Sequence, residues 1–252
     1  MSRARKNARN NVKSFETQPN YNPNKINYTT KTGIRKEVRI IPRNIHQEEY
    51  LEYLLDPEKM IILAHGPAGS GKTTLAMLAA IKALSEKIVK KIILCRPAIA
   101  IDNESHGFLP GTIEEKMAPW LIPLFDILFE YYSKKEIDFM VENKIVEVTP
   151  LAFMRGRNLK NCFVILDESQ NASLSQVKTV MTRLCDGSKL IITGDNDQSD
   201  RKTGENGLLF FKNALEKYGE NKYISSIEFD HSDIERHPVV GVVLDIFDMA
   251  TN

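Results

Sequence analysis

The chain has 252 residues, of which 42% are hydrophobic and 27% charged, with three cysteines and one tryptophan. This balance is typical of one or two compact globular domains and excludes a collagenous or globally disordered protein. No apolar run approaches the roughly 20 residues of a membrane-spanning helix, and the basic N-terminus lacks the apolar stretch of a secretory signal. The cysteines are odd in number and far apart, which argues against a disulfide framework or a zinc site. We therefore expect a protein of the cytoplasm.

The formal net charge of +1 conceals an uneven distribution of charge along the chain. Residues 1–39 carry ten basic side chains and two acidic ones, a charge of +8, which leaves −7 for the remainder. This segment is also rich in Asn and Thr and has no apolar periodicity. We therefore predict a flexible basic tail over residues 1–38 and one folded domain over residues 39–252. Such a tail suits contact with nucleic-acid phosphates, and the alternative is that it only improves solubility.

Six short apolar runs, rich in β-branched residues, predict strands that alternate with segments of helical spacing. The predicted strands are, in chain order, 60–64, 88–95, 145–148, 162–166, 190–193 and 223–229. Helices are predicted over 72–84, 174–184 and 208–217, and a further helix begins near Asn44. This alternation predicts an α/β fold in which helices cover both faces of a parallel sheet.

Residues 99–143 interrupt this alternation and are predicted to form a largely helical insertion. The segment contains seven of the twenty Phe, Tyr and Trp residues of the chain, about twice the average density. Packing in the core is the simpler interpretation of most of these rings. A surface that binds another subunit or stacks against bases is the alternative.

A glycine-rich motif lies at the junction of the first predicted strand and the helix that follows it. The sequence MIILAHGPAGSGKTT has the spacing G-x-x-x-x-G-K-T, which gathers backbone N–H groups and a helix N-terminus around a polyphosphate. In this pattern Lys72 reaches the β- and γ-phosphates, and the Thr73 hydroxyl is a ligand for Mg²⁺. The predicted nucleotide-binding residues of the loop are Gly66, Pro67, Ala68, Gly69, Ser70, Gly71, Lys72, Thr73 and Thr74.

Acidic and amide side chains follow two later strands. The segment FVILDESQ ends a predicted strand with Asp167 and Glu168, at the edge where open α/β sheets bind ligands. Asp167 is predicted to hold Mg²⁺ and Glu168 to polarise an attacking water, which favours hydrolysis over group transfer. The next strand ends in GDNDQ, where Gln198 either orients the water or belongs to a tight Asn/Asp turn.

Four more residues are candidates for the site or its partners. The Gln47 amide, in the helix before the loop, can pair both hydrogen-bonding edges of adenine, which predicts ATP rather than GTP. Arg236, in DIERHP, suits an arginine finger by its place in the chain, and the alternative is a surface residue before a turn. Arg155 and Arg157, in MRGR, are candidate contacts for nucleic-acid phosphates.

Several longer segments carry a family resemblance. Between about Ile41 and Val243 the chain contains, in this order, GPAGSGKTTLA, CRPAI, GFLPGTIEEKMAPWLIPLFD, PLAFMRGRNL, FVILDESQNAS, LIITGDNDQSD and RHPVV. Together they resemble the PhoH family of ATPases, and a short chain with a basic tail is similar to its stand-alone and phage-encoded members. The resemblance implies a RecA-like core related to superfamily 1 helicases, ATP hydrolysis, RNA as the partner and often a hexameric ring. It assigns nucleotide-site roles to Lys72, Thr73, Asp167, Glu168 and Gln198, and the finger to Arg236.

The leading hypothesis is thus a Mg²⁺-dependent ATPase that couples ATP hydrolysis to binding or remodelling RNA or single-stranded nucleic acid. Since the chain has room for one RecA-like lobe, a homo-oligomeric ring, with a hexamer favoured, would supply Arg236 from a neighbouring subunit. Two alternatives remain. One is a P-loop kinase with Arg155 and Arg157 in its lid, and the other is a nucleic-acid binding module that binds ATP without hydrolysing it.

Overall fold

The computed structural model describes residues 37–97, 113–195, 198–199 and 206–235, together with residues 239 and 246, and only the helical backbone of residues 113–121. The predicted tail, except its last two residues, and Arg236 lie outside this part of the chain. The strands are β1 (Ile61–His65), β2 (Lys91–Arg96), β3 (Val146–Pro150), β4 (Cys162–Leu166), β5 (Lys189–Gly194) and β6 (Ile224–Glu228). The helices are α1 (Ile45–Leu55), α2 (Lys72–Ser85), α3 (Ile113–Tyr131), α4 (Lys134–Glu142), α5 (Leu174–Met181) and α6 (Gly207–Tyr218).

The six strands form one sheet in the order β3-β2-β4-β5-β1-β6, and every neighbouring pair is parallel. β5 therefore lies between β1, which leads into the glycine-rich loop, and β4, which ends at the acidic pair. In this register Leu63 pairs with Ile192, and Ile192 pairs with Leu166. The carboxyl ends of β1, β5 and β4 consequently lie side by side at one edge of the sheet.

Alternate residues of the strands build two separate cores. On one face Ile92 and Leu94 pack with the buried side chains of α1 to α4. On the other face Ile93 and Cys95 pack with those of α5 and α6. Because both faces are covered, the inner strands are largely apolar, whereas the edge strands β3 and β6 include polar residues. The predicted α/β fold, a parallel sheet between two helical layers, is confirmed.

Two predicted element boundaries differ from the structure by three residues, for local reasons. The second strand begins at Lys91 and not at residue 88, because Ile88 is exposed and the chain turns at Lys87, whose φ is 61°. The fifth helix ends at Met181 and not at residue 184, because Thr182 caps it. The first helix begins as predicted after Asn44, whose side chain accepts a hydrogen bond from the Gln47 N–H.

The predicted insertion contains α3 and α4, which follow β2 and precede β3 in the chain. Leu124 and Leu128 of α3 are buried in the core formed by α1 and α2, and a capping box at Ser133 starts α4. Phe129 and Phe139 remain 47% and 41% exposed. The described part of the insertion is therefore anchored in the core, with two aromatic rings left at the surface. No helix within the described ranges is both long enough and apolar enough to cross a membrane.

Candidate active site

The loop between β1 and α2 depends on glycine at two kinds of position. Gly66, Gly69 and Gly71 have φ angles of 131°, 90° and 85°, a region that residues other than glycine rarely adopt. At Gly66 space is also limiting, since an added Cβ would lie 2.2 Å from the carbonyl oxygen of Phe229. Gly71 precedes α2 and offers no side-chain cap. The first N–H groups of α2 therefore have no side-chain acceptor at Gly71, an arrangement that suits an anion.

Lys72 places a positive charge inside this loop. Its side chain is buried, and Nζ donates to the carbonyl oxygens of Gly66 and Pro67 at 2.8 and 2.7 Å. Nζ also contacts the Ser70 hydroxyl at 3.0 Å. The ammonium group is thus held by the curve of the loop, at the floor of the neighbouring pocket.

Asp167, the first residue after β4, joins three elements of the site. Its Oδ1 accepts hydrogen bonds from the hydroxyls of Thr73, at 2.8 Å, and Thr193, at 2.7 Å. Its own N–H donates to the Cys95 carbonyl oxygen. A hydroxyl and a carboxylate in contact beside a phosphate-binding loop are the hard oxygen ligands that Mg²⁺ prefers. Thr73 and Asp167 therefore fit a magnesium site.

Glu168 has an unusual backbone and two side-chain contacts. Its φ and ψ are 53° and 39°, the left-handed region. The carboxylate is held by Arg96, whose Nη2 lies 2.7 Å from Oε1, and by Gln170, whose Nε2 donates to Oε2 at 2.7 Å. The same Arg96 nitrogen is 3.9 Å from Oδ2 of Asp167. The two neighbouring carboxylates thus share one guanidinium group.

The end of β5 is bound to the loop through Asp195. Its Oδ2 accepts a hydrogen bond from the Ala68 N–H at 3.0 Å, and its N–H donates to Oε1 of Gln170 at 3.1 Å. The N–H of Gln198 donates to the Asp195 carbonyl oxygen, which places Gln198 at the surface beside the loop. Gln170 consequently connects Glu168 with Asp195, the residue that follows β5.

These groups line one pocket of about 540 Å³. Its polar side contains residues of the loop, both acids, Asp195 and Gln198. Its other wall is formed by Ile41, Arg43, Gln47, Leu75, Leu78 and Glu235. The structure thus brings together the predicted loop residues Ala68, Gly69, Gly71, Lys72, Thr73 and Thr74 with Gln47, Asp167, Glu168 and Gln198.

Gln47 already has a protein partner on each end of its amide. Nε2 donates to the Ser70 carbonyl oxygen, and Oε1 accepts from the Arg43 N–H, both at 3.0 Å. The side chain is buried and would lie 3.0 Å from a Cβ at Gly71. In this geometry Gln47 braces the loop, and each end of its amide keeps only one further hydrogen-bonding position for a base. Its contact with adenine stays a prediction.

The segment after β6 packs over the loop. The Phe229 N–H donates to the His65 carbonyl oxygen, and the Glu235 N–H donates to that of Gly69 at 3.1 Å. Glu235 also lies 3.5 Å from the Arg43 guanidinium. His46 Nδ1 is 2.7 Å from Oδ2 of Asp233, a hydrogen bond that raises the pKa of His46.

The predicted nucleic-acid residues Arg155 and Arg157 do not line this pocket. Arg155 is exposed at the surface. Arg157 forms a forked ion pair with Glu147, at 2.5 and 2.9 Å, which raises its pKa. A phosphate contact by Arg157 would thus compete with a carboxylate, and the nucleic-acid roles of both arginines stay predictions.

Sequence reasoning missed Arg96, Thr193 and Gln170. Arg96 and Thr193 lie at or next to the ends of strands that flank β4 in the sheet. The usable signal was the order of the strands, because parallel neighbours bring their carboxyl ends together. The sequence pattern predicted the strands without predicting that order.

On this parallel sheet, one strand leads through a glycine-rich loop into a helix, and a second strand ends in two acids. These features define the fold of a P-loop NTPase with RecA-like architecture. Residues 39–248 match the family model described as "PhoH: PhoH-like protein". The chain belongs to the PhoH family, which confirms the resemblance of its motifs.

Individual relatives agree with this assignment. The chain is 41% identical over 220 residues to a PhoH-like protein of Bacillus subtilis strain 168, covering 87% of this chain and 66% of the relative. It is 39% identical over 214 residues to one of Mycobacterium tuberculosis strain H37Rv, covering 84% and 59%. The chain thus spans about three-fifths of the length of these curated relatives. Among solved structures, the Sulfolobus solfataricus SWI2/SNF2 ATPase core in complex with dsDNA is similar with a TM-score of 0.44 and 14% identity, covering 77% of this chain and 46% of that one.

Proposed function

We propose that this protein is a Mg²⁺-dependent ATPase that couples hydrolysis to binding or remodelling RNA or other single-stranded nucleic acid. The observation that carries the proposal is the contact between Thr73 and Asp167, 2.8 Å apart, beside the glycine-rich loop and next to Glu168. A binding site for a phosphate anion, a set of magnesium ligands and a second carboxylate thus share one pocket. These are the parts that phosphoryl transfer to water requires.

The loop and Lys72 bind the phosphates. Backbone N–H groups of the loop and the N-terminus of α2 approach the β- and γ-phosphates. The Lys72 ammonium exchanges its contacts with Gly66 and Pro67 for phosphate oxygens. Thr73 and Asp167 would hold Mg²⁺, which when bound neutralises charge on the phosphates.

Glu168 acts on the attacking water. It lines the pocket beside the loop, and its carboxylate accepts a hydrogen bond from the water and orients it towards the γ-phosphate. Gln198, at the same rim of the pocket, orients the water or responds to its removal. In a homo-oligomeric ring, with a hexamer favoured, Arg236 of a neighbouring subunit supplies the arginine finger.

Replacement of Glu168 tests hydrolysis. In Glu168→Gln we expect the affinity for ATP, measured with a fluorescent analogue, to change little because the loop and Lys72 are intact. Release of inorganic phosphate falls by about 10²-fold or more, the usual contribution of a catalytic acid or base. Glu142→Gln, on the exposed end of α4, is the matched control with the same change in charge. Phosphate release from Glu168→Gln at the parental rate contradicts the proposal.

The same assay separates the other functions. Transfer of labelled γ-phosphate to a small acceptor, in place of phosphate release, identifies a kinase. The position of Arg157, paired with Glu147 and away from the pocket, gives no support to a kinase lid. ATP binding without hydrolysis, with or without RNA, identifies a nucleotide-regulated binding module.

The nucleic-acid partner is tested through charge. Each phosphate contact that is lost reduces the dependence of log K on log salt concentration by about one. Deletion of residues 1–30 is expected to weaken binding of a single-stranded RNA and to flatten this dependence. Arg155→Ala removes one exposed charge and is expected to have a smaller effect of the same kind. Unchanged affinity and unchanged salt dependence in both variants contradict this part of the proposal.

A further inference from the structure

Arg96 lies where no nucleotide-binding motif assigns a role. It is the last residue of β2, and β2 is paired with β4 so that Cys95 faces Leu166. This register brings the Arg96 side chain beside the two acids that follow β4. Its Nη2 lies 2.7 Å from Oε1 of Glu168, and its side chain is 24% exposed. The ion pair is thus partly shielded from water, where such pairs are stronger than at an open surface.

The second oxygen of the same carboxylate is held from another direction. Gln170 Nε2 donates to Oε2 of Glu168 at 2.7 Å. Gln170 is itself fixed, because its side chain is buried and its Oε1 accepts the N–H of Asp195. Two donors from different elements therefore determine the plane of the Glu168 carboxylate.

The backbone conformation of Glu168 also determines where its carboxylate lies. Its left-handed conformation is strained for a residue other than glycine. The following turn holds the conformation, since the Asn171 N–H donates to the Glu168 carbonyl oxygen and the Ser169 hydroxyl donates to that of Thr193. The turn directs the side chain to the pocket beside Asp167, where like charges repel unless a cation lies between them.

We propose that Arg96 is a positioning residue for hydrolysis, which orients the Glu168 carboxylate in the pocket through its contact with Oε1. Each carboxylate oxygen has two acceptor positions, so the oxygens held by Arg96 and Gln170 still accept a hydrogen bond from a water. The inference rests on the proposed function, in which Glu168 polarises the attacking water. It assigns to Arg96 no contact with the nucleotide.

The kinetic test separates positioning from binding. In Arg96→Ala we expect kcat for ATP hydrolysis to fall about 10- to 100-fold, while KM and the affinity for a non-hydrolysable analogue change less than about twofold. Arg96→Lys recovers part of the rate, because an ammonium group replaces the charge but not the planar fork of donors. Lys91→Ala, at the opposite end of the same strand, is the control for loss of a basic side chain.

A double-mutant cycle tests whether Arg96 acts through Glu168. In a Glu168→Gln background, Arg96→Ala is expected to add less than about twofold to the loss of kcat. Independent, multiplicative losses overturn the inference, as does a parental or increased kcat in Arg96→Ala. An increase would mean that Arg96 restrains Glu168 instead of positioning it.

A crystal structure of Arg96→Ala gives a readout that needs no turnover. We expect an unchanged sheet and a Glu168 carboxylate that has left its position beside Gln170. A carboxylate in its original place overturns the inference whether or not the chain hydrolyses ATP. Absence of phosphate release from the unaltered chain overturns the proposed function, and the position of Glu168 still decides whether Arg96 holds it.

Discussion

The pocket has a floor and a rim. The floor consists of residues 65–74 and of the residues that end or follow β4 and β5, and contacts between neighbouring strands of one sheet hold it together. The rim, formed by residues 41–47 and 229–235, is joined by contacts between segments almost 190 residues apart. In the floor, Asp167 accepts hydrogen bonds from Thr73 and Thr193 within 2.8 Å. In the rim, the exposed ion pair of Arg43 and Glu235 spans 3.5 Å.

The floor contains the groups proposed to act on phosphate, whereas the rim holds the surrounding segments together. Floor contacts are short and part-buried. In the rim, His46 and Asp233 form an equally short contact at 2.7 Å, whereas the ion pair of Arg43 and Glu235 is exposed, so water screens it and it contributes little to stability. We therefore expect substitutions in the floor to abolish activity and substitutions in the rim to change affinity or stability by smaller amounts.

The largest effect is expected at Lys72. Lys72→Ala removes the only charge that the loop offers to a phosphate, so we expect kcat/KM for ATP to fall by roughly 10²–10³-fold, the size of the loss when one preorganised donor is removed. Steady-state phosphate release measures it. Lys82→Ala, on the exposed face of the same helix, is the control and should keep the parental rate. Similar losses in both variants would mean that α2 is merely sensitive to the loss of charge.

The point where rim and floor meet gives the next largest effect. In Gly66→Ala the new Cβ would lie 2.2 Å from the carbonyl oxygen of Phe229, so backbone must move. We expect the free energy of unfolding to fall by about 3–5 kcal/mol, from overpacking together with the strained φ. Gly219→Ala also has a positive φ but meets open space, so it isolates the backbone strain and should cost about 1–3 kcal/mol. Denaturation by urea compares them, and equal costs would show that Phe229 yields easily.

The same comparison explains how much the sequence predicted. The floor follows from local patterns, because Gly66 and Lys72 have the spacing of a phosphate-binding loop after one apolar run and Asp167 directly follows another. The rim does not, because nothing local indicates that Glu235 contacts Gly69 or that His46 contacts Asp233. Such pairs depend on where β6 joins the sheet.

Two features of the site depend on packing that local patterns do not indicate. The chemistry of the Gln47 amide predicts a contact with adenine, which stays a prediction, whereas its protein partners are set by the approach of α1 to the loop. The contact of Arg96 with Glu168 depends on β2 lying next to β4, which is a property of strand order and not of spacing. Local patterns thus predicted the reactive groups but not the residues that hold them in place.

Two histidines sharpen the comparison through pH. His65 lies at the end of β1, in the floor, and is buried. Its burial, and next the charge of Lys212, lower its pKa to about 4. The charge of Lys72 lowers the pKa further, whereas Glu228, at 3.8 Å, acts in the opposite direction. His46, in the rim, has its pKa raised by Asp233. The two therefore affect stability with opposite signs.

The sign for His65 follows from its folded pKa lying below the unfolded value of 6.5. Between pH 6.5 and 4 the unfolded chain binds more protons, so stability is lost on acidification, by up to about 3 kcal/mol. His65→Gln should remove this part of the loss in urea titrations at pH 7 and pH 4. His46→Gln should act oppositely, because the stability from its pair is present below the unfolded pKa and lost as pH rises through the folded pKa. Exposed His231→Gln is the control, and an acid loss in His65→Gln as steep as in the parent contradicts the assignment.

The smallest effect is expected at Gln47, where rim and floor share one side chain. If Gln47 braces the loop, Gln47→Ala weakens ATP, GTP and inorganic triphosphate by the same factor, about tenfold for one buried hydrogen bond to Ser70. If it contacts adenine, ATP alone is weakened, because inorganic triphosphate has no base to lose. Competition against a fluorescent nucleotide measures all three affinities, and Glu48→Ala, exposed on the same helix, is the control. We expect equal weakening, because both ends of the amide already have partners in the protein, and an effect confined to ATP would place Gln47 with the base.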